Sequence, residues 1–168
     1  MSTTMLAINQ QIPNNANIGA DLNINIYNID PRAIGCTFQL TAGGTVTNPS
    51  PGFGLGYTPL DIDLTQLSMT TNQYVFVTIT LYDNNAIFMQ PNSAQPNFGL
   101  AVAAGDHTLQ SILYYSNAVY LNTTTAQFYC QFTGADAQLR TYNLGIVALD
   151  NRGFQVPLYL DPKLKNFG

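Results

Sequence analysis

Between Gln73 and Tyr82 every second residue is aliphatic. Val75, Val77, Ile79 and Leu81 fall on one side of an extended chain, and Tyr74, Phe76, Thr78, Thr80 and Tyr82 fall on the other. Side chains alternate across a strand but recur every 3.6 residues around a helix, so this period of two specifies a strand and excludes an amphipathic helix. The second face is also largely apolar, as expected where both sides are covered. The same alternation runs through 20–29, with Leu22, Ile24 and Ile26 on one face, and through 34–40, with Ile34, Cys36, Phe38 and Leu40. Asp30-Pro31-Arg32 between them reads as a turn. Further short strands are expected at 86–89, 100–104, 111–115 or 118–121, 126–132, 141–149 and 154–160. Asp83-Asn84-Asn85 would turn the chain back into the first of these, and Asp150-Asn151-Arg152-Gly153 makes a hairpin of the last two. A further strand is possible around 6–12. No window of helical length keeps a 3.6 period, although 134–139 has room for a helical turn. The stretches 41–59, rich in glycine with three prolines, and 90–99, with Pro91 and Pro96, read as loops.

About eight strands in 168 residues predict an all-β fold: one antiparallel two-sheet sandwich spanning 1–168, with jelly-roll topology and extended tails at 1–19 and 161–168. Long inter-sheet loops and the absence of tryptophan favour a jelly roll over an immunoglobulin-like domain.

Charge narrows the function. Only 8% of residues are charged, against about 25% in typical domains. Neutral polar residues take their place: 18 Asn, 12 Gln and 18 Thr, with nine Asp and no Glu. The two lysines, Lys163 and Lys165, sit near the C-terminus, and Arg32, Arg140 and Arg152 are scattered. Nucleic acid is gripped by clustered cations that neutralise phosphates, so no direct nucleic-acid contact is expected. The same scarcity argues against a basic membrane-binding surface. No apolar run reaches the ~20 residues of a membrane-spanning helix. Residues 1–11 lack the basic and apolar regions of a signal peptide, so synthesis in a host cytoplasm without secretion is expected.

No motif specifies a reaction. Asp106-His107 is the one acid–histidine neighbour pair, but nucleophilic catalysis also needs an activated Ser or Cys beside it. Asp61-Ile62-Asp63 places two carboxylates on one strand face, where solvated aspartates are expected and a weak cation at a subunit boundary is the alternative. Calcium needs six to eight oxygens, and no further ligands follow in pattern. Gly52-Phe53-Gly54-Leu55-Gly56 lacks the Lys and helix start of a phosphate loop and reads as a loop in which Leu55, with Tyr57 and Leu60 beyond it, packs. Cys36 and Cys130 suit no zinc pattern and read as small buried hydrophobes, with a disulfide open only if their strands adjoin. Asn122-Thr123-Thr124 matches the glycosylation pattern but has no secretion signal to give it meaning. The chain is therefore expected not to be an enzyme and to need no cofactor or metal.

Soluble monomers keep apart by surface charge. A surface of amides and hydroxyls hydrogen-bonds a neighbour without burying charge, and interfaces are depleted in Lys, Glu and Asp. Much of this surface is thus expected to be covered in an assembly. Leu6, Ile8, Ile12, Leu164 and Phe167 are the expected apolar anchors of tails reaching onto neighbours, tails whose removal would weaken association without unfolding the core. In size, strand pattern and Asn/Gln/Thr-rich, Glu-free composition the chain resembles viral capsid subunits of single jelly-roll type, as in tailless icosahedral phages. The resemblance spans the chain but carries no motif, so it assigns no residue a role. It implies a virion shell, decoration or spike protein whose partners are copies of itself and other structural proteins. The alternative is a carbohydrate-binding or adhesin module. Its aromatic and polar residues would gather at 91–98 with Tyr114 and Tyr115, near Tyr120 in sequence.

Overall fold

The computed structural model describes residues 18–30, 33–49, 55–67, 69–83, 85–89, 100–103 (by backbone path), 119–134 and 139–166. They form twelve strands: β1 (Ile18–Asn28), β2 (Gly35–Ala42), β3 (Thr45–Thr47), β4 (Ile62–Asp63), β5 (Tyr74–Leu81), β6 (Ala86–Phe88), β7 (Leu100–Ala103), β8 (Val119–Tyr120), β9 (Thr125–Gln131), β10 (Arg140–Leu149), β11 (Gln155–Leu160) and β12 (Lys163–Lys165). A 3-10 turn, Leu64–Gln66, follows β4. The chain is all-β.

Sheet one has the order β3-β2-β1-β5-β9-β8. Its inward residues are those the alternation picks out: Leu22, Ile24 and Ile26 of β1 and Val75, Val77 and Ile79 of β5 are almost fully buried. The β2–β3 connection is a two-residue hairpin at Gly43-Gly44, where both residues have positive φ (58° and 81°) and Ala42 faces Thr45. Such a primed turn matches the strand twist and accepts glycine at both positions. It lies inside the expected loop 41–59, so that loop is shorter than its glycine content implies.

Sheet two is built on β10. On one side β10 pairs with β6 and β7, end to end. On the other it pairs with β11 and then β12 in one register. Leu144 faces Leu160, and four residues further along both strands Arg140 faces Leu164. The amide of Tyr142 donates to the Pro162 carbonyl between them. β11 and β12 are thus one strand interrupted at Asp161-Pro162. β4 pairs with the β12 half only.

Three expectations are corrected. The pairing is mixed rather than purely antiparallel: β1 runs parallel to β5, and β12 parallel to β4. A parallel pair requires a long crossover, and the path from β2 through the 3-10 turn supplies it between β1 and β5. The turn after β5, closed by Ala86 N–H donating to the Asp83 carbonyl, does not return β6 beside β5. It carries the chain into sheet two, where Ala86 and Phe88 are buried beside β10. Finally, 161–166 is no tail. Leu164 and Asn166 have zero exposure, and Leu164 joins the core cluster of its own chain. At the other end β1 begins at Ile18, inside the expected tail 1–19.

The two sheets meet across one core. Phe128 of β9 lies against Tyr142 of β10 at 6.1 Å between ring centroids, and Phe88 of β6 meets Tyr120 of β8 edge-on at 6.0 Å. Burying an aliphatic or aromatic side chain contributes roughly 1.5–3 kcal/mol. Ile62 and Leu64, both fully buried, therefore hold the two-residue strand β4 in place despite its short ladder.

Candidate functional site

The most polar interior point of the described chain surrounds Asp61. Its carboxylate is fully buried rather than solvated. Oδ2 accepts the amides of Tyr57 and Thr58 at 2.8 and 2.9 Å, and Oδ1 accepts the Thr58 hydroxyl and the Lys163 amide, each at 2.9 Å. Both oxygens are occupied by donors of the chain itself, which compensates the cost of burying the carboxylate. Asp63, also buried, caps the 3-10 turn by accepting the amide and hydroxyl of Thr65 and the amide group of Gln66. The two carboxylates are structural clamps: Asp61 ties the 57–60 loop to β12, and Asp63 starts the next turn. Among the described residues no group of three or more His, Cys, Asp or Glu side chains is placed to hold a metal ion.

Next to this clamp the Tyr142 hydroxyl donates to the Leu60 carbonyl inside the core. Burial first, then the nearby Asp61 carboxylate and the Cys36 thiol, push the Tyr142 phenol well above its ordinary range. Cys36 on β2 and Cys130 on β9 are separated by β1 and β5, and both thiols are free. Burial raises both, Cys130 the more, so neither is a reactive thiolate at neutral pH.

Asn122 closes the β8–β9 connection, its side-chain oxygen accepting the amide and hydroxyl of Thr124, each at 2.9 Å. Leu60 packs in the core as expected, while Tyr57 is exposed. Asp106, His107, residues 52–54 and 91–98, Tyr114 and Tyr115 lie outside the described residues. So do the expected anchors Leu6, Ile8, Ile12 and Phe167. Leu164, the remaining anchor, is spent on the chain's own core.

The described outward face of sheet two carries a row of apolar side chains. Along β10 the even positions Tyr142, Leu144 and Ile146 point into the core and the odd positions lie on the opposite face, where Thr141 and Gly145 are buried, Val147 is half-buried and Leu149 is exposed. There Ile87 of β6, Val147 of β10 and Pro157 of β11 stand side by side across three strands. Leu149, 46% exposed, lies one step along, and Tyr159, 67% exposed, faces Gly145, which has no side chain to cover it. The hairpin ahead of β11 is closed by the Asp150 carboxylate, which accepts the amides of Arg152 and Phe154. Arg152 lies over the exposed Phe154 ring at 5.9 Å. The charges Lys163 and Lys165 sit at the far end of the same strand line, and Lys163 meets Asp161 at 3.8 Å. The alternation in 141–149 and 154–160 contained this row, but only the cross-strand register assembles it.

β11 is also an edge: no described strand lies beyond it. Pro157 sits in its middle and has no N–H. Proline is accommodated in an edge strand where the missing donor would face outward, and it interrupts the row of groups that another strand would read. The apolar face is therefore available to side-chain packing, while backbone addition at the edge is obstructed. Comparison with protein-family models, curated proteins and solved structures finds no match for this chain.

Proposed function

We propose that this chain is a structural subunit that associates with copies of itself through the outward row of sheet two. It is the building block of a virion shell or similar large assembly and carries out no bond-breaking chemistry. In this reading the sandwich is a variant of the jelly roll with a parallel β1–β5 neighbour pair. It is made in a host cytoplasm, and its partners are further copies and other structural proteins of the assembly, not nucleic acid. The single observation that supports it is the uncharged row Ile87–Val147–Pro157, flanked by Leu149 and Tyr159. Contiguous exposed apolar surface on a folded chain marks an interaction site. A second copy suits it because two identical chains of net charge −4 can meet there without opposing like charges. Oxidative footprinting at rising protein concentration tests the reading. Ile87 and Tyr159 should become protected while Tyr57, 63% exposed elsewhere, stays labelled. Labelling of all three that is independent of concentration contradicts it.

A further inference from the structure

The outward face of sheet one differs in chemistry from that of sheet two. Register aligns its residues in rows across the strands. Asn23, Thr78 and Gln127 form one row, and Asn25, Thr80 and Thr125 the next. Beyond them Tyr27 and Tyr82 stack at 5.0 Å between centroids and 17° between planes, each more than half exposed. An aromatic pair thus borders two rows of amides and hydroxyls, with strands about 4.8 Å apart, and Asp21, Phe76 and Tyr129 form the row on their other side. Gln127 Nε2 donates to Thr78 Oγ1 at 3.0 Å, which fixes one row. Amides and hydroxyls both donate and accept, as sugar hydroxyls do. The one charged residue among the described outward positions of this sheet is Asp21, and the described charges in the loops after the two tyrosines, Asp30 and Asp83, are acidic too. Nothing described there neutralises a phosphate, sulfate or carboxylate.

We propose that this face binds a neutral glycan, with the free outer face of the Tyr27–Tyr82 stack packing against the apolar face of one sugar ring and Asn25, Thr80 and Thr125 hydrogen-bonding its neighbour. The site is on the opposite sheet from the association surface, and neither reading depends on the other. The full-length protein is applied to an array of neutral gluco-, manno- and galacto-oligosaccharides printed beside sialylated and sulfated ones. The strongest neutral tetrasaccharide is then titrated calorimetrically against wild type, Tyr27→Ala/Tyr82→Ala, Asn25→Ala and, as control, Tyr159→Ala. The tyrosines are exposed, so their replacement leaves the fold intact, and unchanged melting verifies this. The expected result is a neutral hit, at least tenfold weakened in the double variant and in Asn25→Ala and unchanged in Tyr159→Ala. No neutral hit, hits confined to the acidic glycans, or binding that survives the double substitution each overturns the proposal.

Discussion

Asp61 shows how much a single buried side chain does in this chain. Four donors from two separate segments converge on its buried carboxylate, so its removal leaves those donors without their partner and breaks the tie between the 57–60 loop and β12. An unsatisfied buried group costs about 1–3 kcal/mol. Asp61→Ala is therefore expected to lower unfolding free energy by about 3 kcal/mol or more, and Asp61→Asn, which keeps one acceptor oxygen, by less; urea titration measures both. Tyr142 makes a pH prediction. The folded chain holds this phenol neutral, whereas the unfolded chain releases its proton near the ordinary 10.0. The buried Cys130 thiol acts likewise from its ordinary 9.0. Both groups are raised on folding, so their contribution is complete below about pH 9 and is lost as pH rises past these values. The melting temperature should be level through neutral pH and fall steeply above pH 9–10. Tyr142→Phe should reduce that alkaline slope while costing about 1 kcal/mol at neutral pH for the lost hydrogen bond. A slope unchanged in Tyr142→Phe contradicts the assignment. None of this was legible in Asp-Ile-Asp as a string. The spacing puts two carboxylates on one face, but whether that face meets water or the chain's own amides depends on where β12, a hundred residues later, is laid down.

The longer strands were legible because their periodicity is a local signal: 20–29, 73–82 and 141–149 each carry enough alternating positions to exclude a helix. β3, β4 and β12 were not, since two or three residues carry no period and are strands only because of a neighbour. The parallel β1–β5 pairing is likewise a property of the crossover and not of either segment. The most consequential misreading concerned 161–166, read as part of an extended tail whose Leu164 would anchor on a neighbouring copy. Leu164 and Asn166 are the informative residues, and Asn166 binds both the Thr133 amide and the Gln131 carbonyl across the sheets. Deleting 162–168 is therefore expected to unfold or strongly destabilise the domain rather than release a contact, as circular dichroism and thermal melting will show. Retention of the native melting temperature would return this stretch to the status of a tail. At the neighbouring edge, Pro157 obstructs strand addition along β11. Pro157→Thr restores a donor to an exposed strand whose residues favour β structure. It should speed thioflavin-positive aggregation on agitation without lowering the melting temperature. Aggregation no faster than wild type would mean that Pro157 is not the guard.

On the scale of the whole molecule, the two sheets turn chemically different faces outward over a common core. Sheet one presents amides, hydroxyls, aromatic rings and Asp21, and sheet two an apolar row ending at a small charged cluster. The low charge of the sequence pointed to a covered surface, and that inference was open to composition. Its location was not, because Ile87, Val147 and Pro157 are far apart along the chain and become neighbours only through the register of β10. The central claim is that this row joins copies of the chain, and light scattering across concentration tests it most directly. Wild type is compared with Ile87→Lys/Tyr159→Lys, which places charge on the row at two exposed positions without touching the core. The account predicts a mass that rises with concentration for wild type and stays at the 18.3 kDa of one chain for the variant, with equal melting temperatures. A monomeric wild type at high concentration, or a variant that associates as wild type does, would contradict it.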